Sequence, residues 1–302
     1  MLYSVCSPAT MKKLLAVASL LSLTACSPAM PPANTGSGNG VMDNHVMHDM
    51  NSSSAVNEDI ETRLNDSPRH HEWVDVRNGE KTISTFVAYP EKSGKTPVVL
   101  VIHENKGLSD WVRAMADEIA EEGYIAVAPD LLSDFDKDHK DSDSFASDDE
   151  RTKAIMKLDP VQVMSDLNAV ANWSETIPAS NGKLATAGFC WGGSQSFAFA
   201  TASNEPDLTL VFYGTGPTDV PAYANVTSPV YGFYAGNDER VNATIPLSTN
   251  AMADNGKTYE IEAYDGAGHA FMRTGEDPYA DPANAAARDK AWERMKKLLG
   301  TL

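Results

Sequence analysis

Hydrophobic and polar positions change period several times along the chain, and each change predicts an element. Residues 73–76 and 83–88 alternate on either side of Asn78-Gly79. Alternation sends successive side chains to opposite faces, and Asn-Gly supplies a tight turn, so a β-hairpin is expected. Residues 97–102 read Pro-Val-Val-Leu-Val-Ile, the near-continuous apolar run of a strand buried on both faces. Over 110–122, Trp111, Met115 and Ile119 recur at helical spacing, and Gly123 follows as the stop. A strand at 124–128 ends in Pro129-Asp130. One helical run is expected over 150–176, with Ile155, Val163, Leu167 and Val170 facing inward. Beyond it, strands at 183–187, 208–213, 230–234 and 259–264 alternate with helices at 194–201, 244–255 and 282–299. Such alternation implies an α/β fold, a mostly parallel sheet with helices on both faces. No internal repeat is visible.

The first 60 residues obey none of these periods. Lys12-Lys13, the apolar run 14–23 and the small residues Thr24-Ala25 describe a secretory signal, too short to span a bilayer stably. Both Met1 and Met11 fit as its start. Leu23-Thr24-Ala25-Cys26 is similar to the lipobox of bacterial lipoproteins. That resemblance implies lipidation of Cys26, export, and a lipid anchor in the membrane, on the periplasmic face of the outer membrane because Ser27 follows. Residues 27–60 are rich in Pro, Gly, Asn and Ser and read as a flexible linker. The linker carries Met42, His45, Met47, His48 and Met50, donors that suit copper, although a plain polar tether explains them as well. The expected organisation is thus a signal at 1–26, a linker at 27–60 and one catalytic-size domain at 61–302.

Charge narrows the function. Acidic residues outnumber basic ones 42 to 24, for a net charge of −18, and no basic cluster offsets this, so nucleic acid is excluded as a partner. Cys6, Cys26 and Cys190 are too few for a disulfide framework. Aspartates at 134, 136, 138, 141 and 143 open like a calcium loop but lack its glycine and closing glutamate. Residues 134–150 are therefore expected to form a solvated loop near the site.

The chemistry sits at strand ends. Gly188-Phe189-Cys190-Trp191-Gly192 follows a strand and precedes a helix, matching the nucleophile elbow G-x-S-x-G with cysteine in the serine position. The flanking glycines are required because side chains there would strike the neighbouring strand and helix. At a helix N-terminus, N–H groups and the dipole are expected to lower the thiol pKa. A cysteine nucleophile needs a base and the base an orienting group. Asp238, in Gly236-Asn237-Asp238, and His269, in Gly268-His269-Ala270-Phe271, each follow a later strand in that order. His103 is the other histidine at a strand end, beside Glu104.

These segments, with His103-Glu104-Asn105-Lys106-Gly107-Leu108, Pro129-Asp130-Leu131-Leu132 and Tyr213-Gly214, resemble the dienelactone hydrolase family (carboxymethylenebutenolidases) across roughly residues 70–300. The resemblance implies the α/β-hydrolase fold and a hydrolase of small-molecule esters or lactones that forms a thioester acyl-enzyme, without cofactor or metal, as a monomer. It implies Cys190 as nucleophile, His269 as general base, Asp238 as its carboxylate, and Glu104 as the group that pairs with the resting thiol. It further implies backbone N–H groups of Asn105 and Trp191 as the oxyanion hole and Arg273 as a substrate-binding arginine. A second substrate arginine is implied after the 130s, where Arg151 is the only arginine between Gly123 and Cys190. Two other uses of the fold stand beside this one: a general esterase or thioesterase, and a non-catalytic envelope lipoprotein.

Overall fold

The computed structural model describes residues 60–302. The signal, Cys6, Cys26 and the linker with its Met/His cluster lie outside the described residues, apart from Ile60. The strands are β1 His70–Asn78, β2 Lys81–Tyr89, β3 Thr96–Ile102, β4 Ile125–Pro129, β5 Ser180–Phe189, β6 Leu208–Phe212, β7 Val230–Ala235 and β8 Tyr259–Tyr264. After a helical segment at 60–65, the helices are α1 Asp110–Glu121, α2 Asp148–Ile155, α3 Pro160–Glu175, α4 Trp191–Ala202, α5 Glu239–Asn242, α6 Ile245–Asp254, α7 Phe271–Thr274 and α8 Pro282–Leu299.

The strands form one sheet in the order β1-β2-β4-β3-β5-β6-β7-β8. β1 and β2 are the expected hairpin, with Val76 opposite Ile83 and Gly79 at φ +62 in the turn. β2 meets β4 antiparallel, and every later pairing is parallel. This is the α/β-hydrolase architecture. The pleat explains the apolar run in β3. Val99 and Val101 face Trp111, Met115 and Ile119 of α1, while Val98, Leu100 and Ile102 face Val163, Leu167 and Val170 of α3. Full burial of each such side chain contributes about 1.5–3 kcal/mol.

Two expectations need correction. The run 150–176 is two helices, not one, because Pro160 lacks an N–H and disfavours helical geometry in the residue before it. Asp159 caps the second helix by accepting the Val161 N–H at 2.9 Å. Nor is 134–150 a solvated loop throughout. Ser142 is buried, and its N–H and Oγ donate to the two Asp130 oxygens at 2.6 and 2.7 Å. The same Oγ accepts the Leu108 N–H at 2.9 Å, so the segment is moored beside the loop after β3. Its last acidic residues, Asp148, Asp149 and Glu150, form the first turn of α2, where the helix dipole favours negative charge.

Candidate active site

Cys190 is the single residue between β5 and α4. Its φ of 56° and ψ of −114° are costly for a non-glycine residue, of order 1–3 kcal/mol. The turn is pinned on both sides: the Cys190 N–H donates to the Phe212 carbonyl at 3.0 Å, and its carbonyl accepts from Ser194 N–H at 3.2 Å. The glycine frame has the steric cause expected from sequence. A Cβ on Gly188 would lie 2.0 Å from the Gly192 carbonyl oxygen, and one on Gly192 would lie 2.1 Å from that of Ile102.

The fold brings Asp238, His269 and Cys190 into line. His269 Nε2 lies 3.0 Å from Cys190 Sγ, and its Nδ1 lies 2.5 Å from Asp238 Oδ2. Asp238 is buried after β7 and its Oδ1 accepts the Val241 N–H. The two loops that carry the carboxylate and the imidazole are stitched together, since Asn237 donates its N–H to Ala267 and its side-chain amide to the Gly266 carbonyl, both at 2.9 Å. Asn284, on α8, accepts the Gly268 N–H at 2.8 Å and so fixes the residue before His269. Asn237 was visible in the motif, whereas nothing in the sequence marks Asn284.

Glu104 is buried, and its carboxylate receives Arg273 Nε at 2.9 Å. The thiol therefore meets His269 and the carboxylate meets Arg273, and Glu104 acts on the sulfur through its charge. Burial pushes the Cys190 thiol up, and the Glu104 charge pushes it further; the Trp191 N–H, the Arg240 charge and the Asn105 N–H pull the other way and do not win. The lowered thiol pKa expected from the helix terminus is thus overturned by desolvation. The backbone N–H groups of Trp191 and Asn105 both reach the sulfur as donors that favour its thiolate.

His103 is a strut. It is fully buried and held neutral by that burial, with Nδ1–H donating to the Glu104 carbonyl at 2.8 Å and Nε2 accepting the Leu131 N–H at 3.1 Å. Its ring stacks on Trp191 at 5.4 Å. Tyr213, quoted in the sequence motif without a role, sits at φ +39 and packs its ring edge-on against His269 at 5.1 Å.

A cleft of about 630 Å³ reaches this group through Arg273, which stands on its wall and binds Glu104, while Cys190, His269 and Asp238 do not line it. Trp111, Lys106 and Arg151 also line it, so the fold does bring Arg151 to the same cleft as Arg273. Lys106 donates to Asp148 at 2.6 Å, and Arg151 pairs with the same carboxylate. Among the described residues no cluster of His, Cys, Asp and Glu has the geometry of a metal site.

The model of the dienelactone hydrolase family matches residues 83–302. A Saccharolobus solfataricus protein, provisionally named a carboxymethylenebutenolidase, is 30% identical over 248 residues, covering 72% of this chain and 93% of its own. An Escherichia coli protein with the same provisional name is 29% identical over 224 residues, covering 70% and 79%. In fold, the chain is similar to a provisionally named dienelactone hydrolase from Klebsiella pneumoniae, with a TM-score of 0.68 at 23% identity, covering 78% of this chain and 99% of that one. With the family model spanning most of its length, the chain belongs to the dienelactone hydrolase family.

Proposed function

We propose that this protein hydrolyses a small carboxylic ester or lactone through a thioester on Cys190. The observation that carries the reading is the unbroken line of contacts from Asp238 through His269 to the sulfur. His269 Nε2 takes the thiol proton as Sγ attacks the carbonyl carbon. The oxygen that becomes negative accepts the N–H groups of Asn105 and Trp191, each donor contributing about 3 kcal/mol in comparable sites. The C–O bond then breaks, His269 returns the proton to the leaving alkoxide, and the acyl group stays on sulfur. Water, deprotonated by His269, attacks the thioester, and the thiolate leaves and recovers its proton. Asp238 holds the ring tautomer and the imidazolium throughout. No step calls on a metal or a cofactor.

A thiol that rests protonated suits a protein outside the cytoplasm, where a standing thiolate invites oxidation. The lipobox-like Leu23-Thr24-Ala25-Cys26 supports export and a lipid anchor on Cys26 at the outer membrane. Arg273 gives Nε to Glu104, which leaves its terminal amino groups to meet a polar group of the substrate. The test is hydrolysis of p-nitrophenyl acetate and of dienelactone by the full chain, wild type against Cys190→Ala. Activity in the wild type alone supports a cysteine hydrolase, and equal activity in both proteins overturns it.

A further inference from the structure

The cleft that shares Arg273 with the catalytic group carries more negative than positive charge. Each of its three cations is already answered: Arg273 by Glu104, and both Lys106 and Arg151 by the single carboxylate of Asp148. Of the four other carboxylates on the wall, Asp110 pairs with Arg113. Asp277 and Asp281 accept the backbone N–H groups of Tyr279 and Ala283 and form no ion pair among the described residues. Asp143 has no ion pair among the described residues. A ligand entering this cleft therefore meets carboxylates that outnumber its cations, each of which already has an acidic partner.

We propose that Asp148 sets the charge selectivity of the cleft. By holding Lys106 and Arg151 it makes the cleft a site for uncharged or cationic esters and turns away substrates that bear a carboxylate. The inference rests on the ester-hydrolase reading for its substrate class, but the charge effect is a property of the cleft itself. An incoming carboxylate must displace Asp148 from two cations and approach the like charges of Asp143, Asp277 and Asp281. Asp148 is half-exposed at the first turn of α2, so replacing it by asparagine alters charge with little cost to the fold.

Two measurements read the effect. The first compares alkylation of Cys190 in the full chain by neutral iodoacetamide and anionic iodoacetate, followed on the Cys190 peptide by mass spectrometry. Wild type is expected to favour iodoacetamide beyond the ratio shown by N-acetylcysteine. Asp148→Asn is expected to reduce that preference about two- to fivefold, the scale of a solvent-screened pair. Asp149→Asn, which removes the same charge outside the cleft, is expected to leave it unchanged. The preference should also weaken with added sodium chloride. The second measurement is kcat/KM for p-nitrophenyl butyrate against p-nitrophenyl hemisuccinate, where Asp148→Asn should raise the anionic ester selectively. An iodoacetate rate matching that expected from the free thiol, or a ratio unmoved by Asp148→Asn, overturns the proposal. Hydrolysis of neither ester, with the alkylation preference intact and sensitive to Asp148, overturns the hydrolase reading and leaves the charge assignment supported.

Discussion

Arg273 holds the Glu104 carboxylate with its Nε at 2.9 Å, and that carboxylate adds to burial in keeping the neighbouring Cys190 thiol protonated. The pair thus fixes a negative charge where it opposes the thiolate but does not compete with His269 for the sulfur. In the proposed reaction the nucleophile is therefore formed when His269 accepts its proton, rather than standing ready beforehand.

Glu104→Gln should therefore move the pH profile of Cys190 alkylation by iodoacetamide to lower pH. Removing a nearby negative charge favours the anionic form of an acid, so the thiol pKa must fall. Burial still acts in the variant, so the profile stays alkaline of a free cysteine. A profile that did not move would show that Glu104 does not reach the sulfur electrostatically.

Asp238→Asn is expected to lower kcat for p-nitrophenyl acetate by about 10³–10⁴ while leaving the fold intact. Asparagine can keep the acceptor for the Val241 N–H, but its amide nitrogen cannot accept from His269 Nδ1. The ring is then free to take the tautomer that presents N–H to the sulfur. Retention of more than a tenth of the activity would mean that His269 is oriented by its loop rather than by this carboxylate.

Two glycines should respond very differently to alanine. At Gly192 the new Cβ would meet the backbone oxygens of Ile102 and His103 at 2.1 and 2.4 Å, so the elbow must shift, at about 3 kcal/mol or more and with loss of activity. At Gly79 nothing lies within 4 Å, and only the φ of +62 opposes a side chain. Gly79→Ala should cost about 1–2 kcal/mol and leave hydrolysis unchanged. Urea midpoints and kcat on both variants check the contrast.

Asp117 offers a stability test with a defined sign. Burial opposes its ionisation, but hydrogen bonds from Arg69, His71 and Ser67 prevail and hold the carboxyl below its usual range. A carboxyl depressed in the folded state contributes stability above its unfolded pKa of about 3.9, lost as pH falls through the folded value. Asp117→Asn should therefore cost about 3 kcal/mol at pH 7 and progressively less below pH 4. Urea unfolding at pH 7 and pH 3 measures both; an equal cost at the two pH values would rule the ionic contribution out.

The sequence showed the elbow and its partners because their chemistry is local. Gly188, Cys190 and Gly192 are neighbours, and Asp238 and His269 each follow a short strand within five residues. Period likewise located β3 and α1, since alternation and helical spacing survive in single segments. The break at Pro160 was legible too, yet the apolar positions on both sides of it masked the stop. What could not be read is tertiary. The raised thiol pKa depends on how deeply Cys190 is buried, and the quenching of Lys106 depends on an aspartate that the chain brings back from the far side of β4.

Asn284 braces the histidine loop from a neighbouring helix. From α8 it accepts the Gly268 N–H at 2.8 Å and donates to Thr274 Oγ1 at 3.1 Å, clamping the segment that presents His269. It touches no reacting atom, so it is a positioning residue. Asn284→Ala removes both bonds and should lower kcat for p-nitrophenyl acetate about tenfold, because small displacements of a base are costly. KM should change little, and stability should fall by about 1 kcal/mol. Asn284→Asp keeps an oxygen for the Gly268 N–H and should recover most of kcat, although its bond to Thr274 Oγ1 must reverse direction. A purely structural role predicts a different outcome: both variants would lose stability and keep kcat, so the rescue of rate by aspartate is the result that decides.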